Sequence, residues 1–322
     1  DKTYYLNHYY FVSVLTFLLT LTPAHRYASL DVLRKPSLKR THVPAWMTGM
    51  FKAFLCWVYF CAGISKLNHD WMAGAMPLKV WLSADGDVPV AGRLLVQPWV
   101  AYAFSWFGAA FDITIGFFLW NRRTRVVAYV FVVIFHVVTG WLFKIGMFPY
   151  IMIAATLVFF EPQVPQEESR TFQPAKAIYP VMAVFVIFQL ILPFRYLLYP
   201  GKLFWTEEGY RFSWRVMLME KGGTAFFYIK DAQTGRRWEV LNGDFLTPLQ
   251  ERMMVTQPDM ILQYAHHLHD VYARKSIHDP IVTVESYVTL NGSGSRLYID
   301  STVDLAAERE SFLPKKWILP AP

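Results

Sequence analysis

The sequence predicts a polytopic α-helical membrane protein carrying a C-terminal extramembrane α+β domain that is mainly β. Three observations carry this. Of the 322 residues, 54% are hydrophobic and only 17% charged, against about a quarter charged in ordinary soluble domains. The apolar residues fall into six runs, each close to the ~20 residues that cross a bilayer. From about residue 200 the pattern changes to short alternating runs separated by turn residues.

The six runs are 5–22, 47–65, 99–120, 126–143, 146–160 and 177–198. The fifth begins near Gly146 and Pro149 and is short, so it is expected to be tilted or partly re-entrant. Orientation follows from the loops. Between the first two runs stand Arg26, Arg34, Lys35, Lys39 and Arg40 against Asp31; between the third and fourth stand Arg122, Arg123 and Arg125. Basic loops stay inside. The mixed-charge loop 66–98 is then outside, 161–176 inside, and everything after about 200 outside. Residues 1–199 are thus expected to form the transmembrane domain and 200–322 the outer-face domain. The first residue is Asp1 rather than Met, which suggests that N-terminal helices precede this stretch.

In the outer part, TAFFYIK and RRWEVLN flank the turn DAQTG. IVTVESYVTL and RLYIDSTVDL flank NGSGS. Both read as hairpins. Between them, 247–275 reads as one amphipathic helix starting at Thr247–Pro248. No internal repeat and no nucleic-acid motif is present, and the +7 net charge is a topology signal rather than a nucleic-acid one. Cys56 and Cys61, five residues apart in one helix, face different directions and are not expected to pair.

Several polar residues enter the apolar runs. Lys66 ends the second run in AGISKLNHDW. It either snorkels to the headgroups or sits in a cavity among helices, where desolvation would free its amine to act as a base. Gly63 and Ser65 allow the close helix approach that the second reading needs. His8 stands beside Asn7 in YYLNHYYF, as an interfacial residue or as one facing the bundle interior. His136 lies in mid-run and is expected to face inside, bonded to a neighbouring helix. Asp112, inside GAAFDITIGFF, needs a proton or a partner, for which Lys66 and His136 both qualify. His266, His267 and His269 in AHHLHD converge poorly on one ion, and a solvated helix face describes them better. No metal site is expected.

Taken together, the segments resemble vitamin K-dependent gamma-glutamyl carboxylase nearly end to end, as a distant, bacterial member of that family. DKTYYLNHYY is similar to the family's segment with its functional histidine, here His8. THVPAW and VYFCAGISKLNHDWMAG are similar to the stretch holding its catalytic lysine, here Lys66. FHVVTGWLFKIGMFPYIMIA is similar to the block carrying His136. WTEEGYRFSWRVM resembles the start of the lumenal domain and contains Tyr210, Trp214 and Met217. The resemblance implies an integral membrane enzyme, with its C-terminal domain on the periplasmic, extracellular or lumenal side. It would use vitamin K hydroquinone, a reduced naphthoquinone, with O2 and CO2 as co-substrates and no metal. It implies Lys66 and His8 as catalytic residues, and Asn7, His136, Tyr210, Trp214 and Met217 around the cofactor. In the implied reaction the lysine deprotonates the hydroquinone, whose anion reacts with oxygen to become a strong base. That base removes a γ-proton from a glutamate side chain, and the carbanion captures CO2. Partners would be a glutamate-containing peptide or protein and membrane lipid, with no nucleic acid.

The sequence also departs from the animal enzymes. Met219 and Lys221 stand where those carry a histidine and an arginine, and the chain ends at KKWILPAP without their outer cysteine pairs. Propeptide recognition of the animal kind is therefore not expected. A quinol oxidase or epoxidase that does not carboxylate peptides is an alternative. A lipid or quinone binding or transport protein is another, although the repeated halves common in transporters are absent.

Overall fold

The computed structural model describes residues 5–86, 88–89, 91–143, 145–160, 174–275 and 277–321. The chain packs as two compact units. One comprises Leu6–Pro193 with Phe212–Val216; the other comprises chiefly Phe194–Arg211 and the chain from Met217 onward.

The helical unit contains α1 (Asn7–Thr20), α2 (Ala45–Ser65), α3 (Pro98–Trp120), α4 (Arg125–Phe143), α5 (Phe148–Thr156) and α6 (Ile178–Ile191). Among the described residues, four helices are long and apolar enough to cross a membrane: α2, α3, α4 and the span Ile178–Leu198 that contains α6. Six crossings were expected, and the other two runs are helical but shorter. The helix α1 has 14 residues, about 21 Å at 1.5 Å per residue. The fifth run forms only Phe148–Phe159, because Pro149 occupies the first turn of α5 and has no N–H to extend a helix backwards. The expectation for loop 161–176 falls mostly on 161–173, outside the described residues.

Large apolar side chains point outward from these helices: Phe117 is 69% exposed, Val126 64% and Ile191 65%. That surface suits lipid, not water. Inside, Phe11, Leu18, Leu55, Leu119, Val132 and Phe159 form a closed core. The tightest seam is α2 against α3. A Cβ built on Gly63 would lie 2.6 Å from Ile113 Cγ1 and 2.7 Å from the Ile113 backbone nitrogen. On Gly116 it would meet Cys56 Sγ at 3.0 Å. Glycine at these two places is what lets the backbones approach. Both cysteines are free.

The two helices are staggered. Beyond Lys66 the chain makes short helices at His69–Met72, Leu78–Ala84 and Gly92–Leu95, and its first part is tied along the N-terminal half of α3. Trp71 Nε1 donates to Ser105 O at 2.8 Å, Tyr102 Oη to Ala73 O at 3.0 Å, and Trp106 Nε1 to Met72 O at 3.0 Å.

The second unit is a four-stranded antiparallel sheet, β1 (Lys221–Lys230), β2 (Arg237–Val240), β3 (Ile281–Leu290) and β4 (Arg296–Leu297), in the order β2-β1-β3-β4. Both expected hairpins are present, though β4 is only two residues long. Alternation puts Ala225, Phe227 and Ile229 of β1 and Val282, Val284 and Val288 of β3 into one core with Ile261, Tyr264 and Leu268. The single helix expected over 247–275 is two: α7 (Pro248–Met254) and α8 (Pro258–Arg274). Pro258 supplies no N–H, and Gln257 before it is extended at φ −113°, ψ 114°, as residues preceding proline tend to be. The start is as expected, with Thr247 and Gln250 forming a capping box.

Candidate active site

Lys66 caps the C-terminal end of α2, where its backbone N–H donates to Gly63 O at 3.0 Å. Its side chain turns inward. Nζ lies 2.7 Å from Asp112 Oδ2 and 3.4 Å from Ala62 O, and 5.4 Å from the centre of the Trp71 ring. Both Lys66 and Asp112 are only 6% exposed. The snorkelling reading is therefore set aside: a snorkelling ammonium would be wet. The stagger also revises the position. Lys66 ends its own helix, but Asp112 is the fifteenth of the 23 residues of α3. The amine thus lies level with the middle of α3 rather than at a helix end facing solvent.

Of the two partners open to Asp112, it takes Lys66. His136 instead pairs with Tyr59, Nε2 to Oη at 2.8 Å. Tyr59 was not singled out from the sequence. The signal was there: Tyr59, Gly63 and Lys66 are spaced i, i+4, i+7 and so share one face of α2. His136 is 2% exposed, and its Nδ1 has no hydrogen-bond partner among the described residues. The Phe148 ring stands 6.0 Å from the His136 ring and 6.3 Å from the His8 ring.

His8 and Asn7 open α1. Asn7 Nδ2 donates to Arg215 O at 2.7 Å, which helps seat Phe212–Val216 among the helices. Trp214, in the left-handed region at φ 57°, is 1% exposed. It stacks on Tyr10 at 4.7 Å and meets Phe54 edge-on at 5.5 Å. Its Nε1 has no partner among the described residues. Lys66, His8, Asn7, His136 and Trp214 all belong to the helical unit. Tyr210 and Met217 belong to the other, where the Tyr210 ring lies 6.4 Å from Phe204.

A family model for the HTTM domain matches residues 1–163. A second, for the lumenal domain of vitamin K-dependent gamma-carboxylase, matches residues 174–322. The chain belongs to the vitamin K-dependent gamma-carboxylase family. No solved structure matches it.

For a carboxylase-family chain, the second unit holds a departure that the structure explains. Lys221 does not offer its charge to solvent. Its Nζ lies 2.7 Å from Glu207 Oε1, 2.8 Å from Trp205 O and 3.2 Å from Tyr298 Oη. Burial pushes the Glu207 carboxyl up and the Lys221 ammonium down from their usual ranges, while each partner opposes the shift in the other. The triple histidine does not gather. His266 Nε2 is 2.7 Å from Glu308 O, and His269 Nδ1 is 3.5 Å from Asp270. Among the described residues no group of three or more His, Cys, Asp or Glu side chains is arranged to hold a metal ion.

Proposed function

We propose that this family member is an integral membrane carboxylase. It converts peptide glutamate to gamma-carboxyglutamate, coupled to oxidation of vitamin K hydroquinone to the epoxide with O2 and CO2. The observation that carries this reading is the buried Lys66–Asp112 contact at 2.7 Å. A lysine held out of water beside one carboxylate is an arrangement suited to proton transfer.

The surroundings fit a hydroquinone. Such a ring is flat and apolar, with two oxygens that need hydrogen-bond partners. The helical core is rich in aromatic faces, and the nitrogens His136 Nδ1 and Trp214 Nε1 are buried without partners among the described residues, which is costly unless something satisfies them. Reduced vitamin K, when bound, would supply with oxygen the strong base that takes the glutamyl γ-proton.

The residues of this chain do the rest. Lys66 Nζ accepts the phenolic proton. It must arrive unprotonated, and Asp112 Oδ2 stands at the distance needed to take its proton first. Once Asp112 has released that proton and Nζ is protonated again, the carboxylate balances the charge in a region where an unpaired ammonium would be expensive. Trp71 and the Gly63–Ile113 seam keep water from the amine, and exclusion of water protects a strong base from quenching. His8 hydrogen-bonds a reacting oxygen, and Asn7 orients the start of α1. The second unit faces the periplasmic, extracellular or lumenal side.

A second reading, quinol oxidation without peptide carboxylation, is favoured by one observation. Lys221 is committed to Glu207, Trp205 and Tyr298, so it is not offered to a substrate carboxylate. Labelled bicarbonate separates the two readings. Solubilised protein with reduced vitamin K, oxygen and a glutamate-rich peptide should place label in the peptide, and Lys66→Ala should abolish it. Lys66-dependent epoxide with an unlabelled peptide would select the second reading. Epoxide formation that survives Lys66→Ala would overturn both.

A further inference from the structure

A cavity of about 430 Å³ lies between α3 and α4. Phe107, Phe111, Ile115 and Phe118 of α3 form one wall, and Val127 and Phe131 of α4 help form the other. The α3 residues follow i, i+4, i+8, i+11, a stripe distinct from the Asp112–Gly116 stripe that faces α2. Along α3 the groove runs about 16 Å at 1.5 Å per residue, roughly one leaflet of a ~30 Å hydrocarbon core.

One end is chemically different. Arg123 and Thr124 line it. The Arg123 backbone N–H donates to Asn121 Oδ1 at 3.0 Å, but its guanidinium forms no hydrogen bond or ion pair among the described residues. Arg125, by contrast, is spent on the end of α3, with Nε donating to Leu119 O at 3.0 Å and Nη2 to Trp120 O at 3.2 Å. The turn Asn121–Arg125 contains no acid. An apolar slot with a free guanidinium at its mouth is complementary to one molecule of a bilayer: a lipid with an acyl chain and an anionic head.

We infer that this groove holds an acyl chain of an anionic phospholipid whose phosphate pairs with Arg123. Guanidinium matches phosphate geometry bidentately, and anionic lipid is concentrated on the side where basic loops lie. An isoprenoid quinone fits less well, because it brings no anion to Arg123. The inference does not depend on which reaction the Lys66 site performs.

The test is photolabelling of the full chain in lipid nanodiscs. The probe is a phosphatidylglycerol carrying a diazirine on its acyl chain, compared with the matched phosphatidylcholine. Phosphatidylglycerol should label the peptide spanning Phe107–Phe131 several-fold more strongly. Arg123→Gln should bring that labelling down to the phosphatidylcholine level. Arg122→Gln, outside the groove, should leave most of it. Equal labelling by the two lipids would overturn the inference, as would labelling unchanged in Arg123→Gln or lost equally in Arg122→Gln. Loss of phosphatidylglycerol labelling when vitamin K hydroquinone is added before photolysis would give the groove to the quinone instead.

Discussion

Tyr59 and Lys66 lie two turns apart on one face of α2, and each bonds a buried polar group from a different neighbouring helix. Tyr59 Oη meets His136 of α4 at 2.8 Å, and Lys66 Nζ meets Asp112 of α3 at 2.7 Å. One helix face thus holds two polar pairs inside an apolar bundle. Each pair is satisfied only because its partner is present, which makes single and double substitutions informative.

Lys66→Ala should lower quinol epoxidation per folded molecule by about 10²–10⁴-fold, the usual contribution of a positioned general base, beyond any loss of folded protein from leaving Asp112 unpaired. Epoxide formation in solubilised membranes measures this.

Asp112→Asn leaves the Lys66 ammonium buried without its countercharge. Breaking such a pair costs about 3–5 kcal/mol, so thermal unfolding in detergent should occur at markedly lower temperature. The double variant Lys66→Met, Asp112→Leu should recover most of that stability while remaining inactive. A double variant as unstable as Asp112→Asn would show that the pair does not act as a unit.

Gly63→Ala places a Cβ against the Ile113 backbone nitrogen, 2.7 Å away, and backbone cannot swing aside. Overpacking of this kind costs about 1–3 kcal/mol. Because α2 and α3 must separate, the Lys66–Asp112 contact lengthens, and epoxidation should fall even in the fraction that stays folded. Activity per folded molecule is the discriminating readout.

Tyr59→Phe removes the hydroxyl that His136 Nε2 relies on. A buried polar group left without its partner costs about 1–3 kcal/mol. Adding His136→Phe should cost less than the sum of the two single changes, since contacting residues are not additive. A thermal-unfolding cycle over the four proteins checks it.

In the second unit, Lys221→Met leaves Glu207 as a buried carboxylate without its ammonium. At neutral pH the loss should be about 3–5 kcal/mol. The Glu207 carboxyl is already raised by burial, and without Lys221 it rises further. A group whose folded value is raised loses stability as pH rises from its unfolded value to its folded one. Mild acid should therefore restore part of the loss, which urea unfolding at neutral and mildly acidic pH would show.

Some of this was legible in the chain itself. The apolar runs, the hairpins around DAQTG and NGSGS, the Thr247 cap and the interior placement of His136 all follow from local pattern. Periodicity and turn chemistry act over a few residues, so a single sequence records them. Lys66 and Asp112 could likewise be recognised as residues needing special surroundings, because polar groups in apolar helices always do. What no local pattern carries is register between helices. Whether Asp112 meets Lys66 or His136 depends on the stagger of α2 against α3, set by Gly63 on Ile113 and Gly116 on Cys56. The same stagger moves Lys66 from a helix end to the level of the middle of α3. Tyr59 was unremarkable among 18 tyrosines until α4 brought His136 to it, and no local pattern pairs Lys221 with Glu207 and Tyr298. The sequence alone determined which side chains needed partners; only the tertiary structure decided which partners they received, because that choice is made by backbones approaching across dozens of residues of chain.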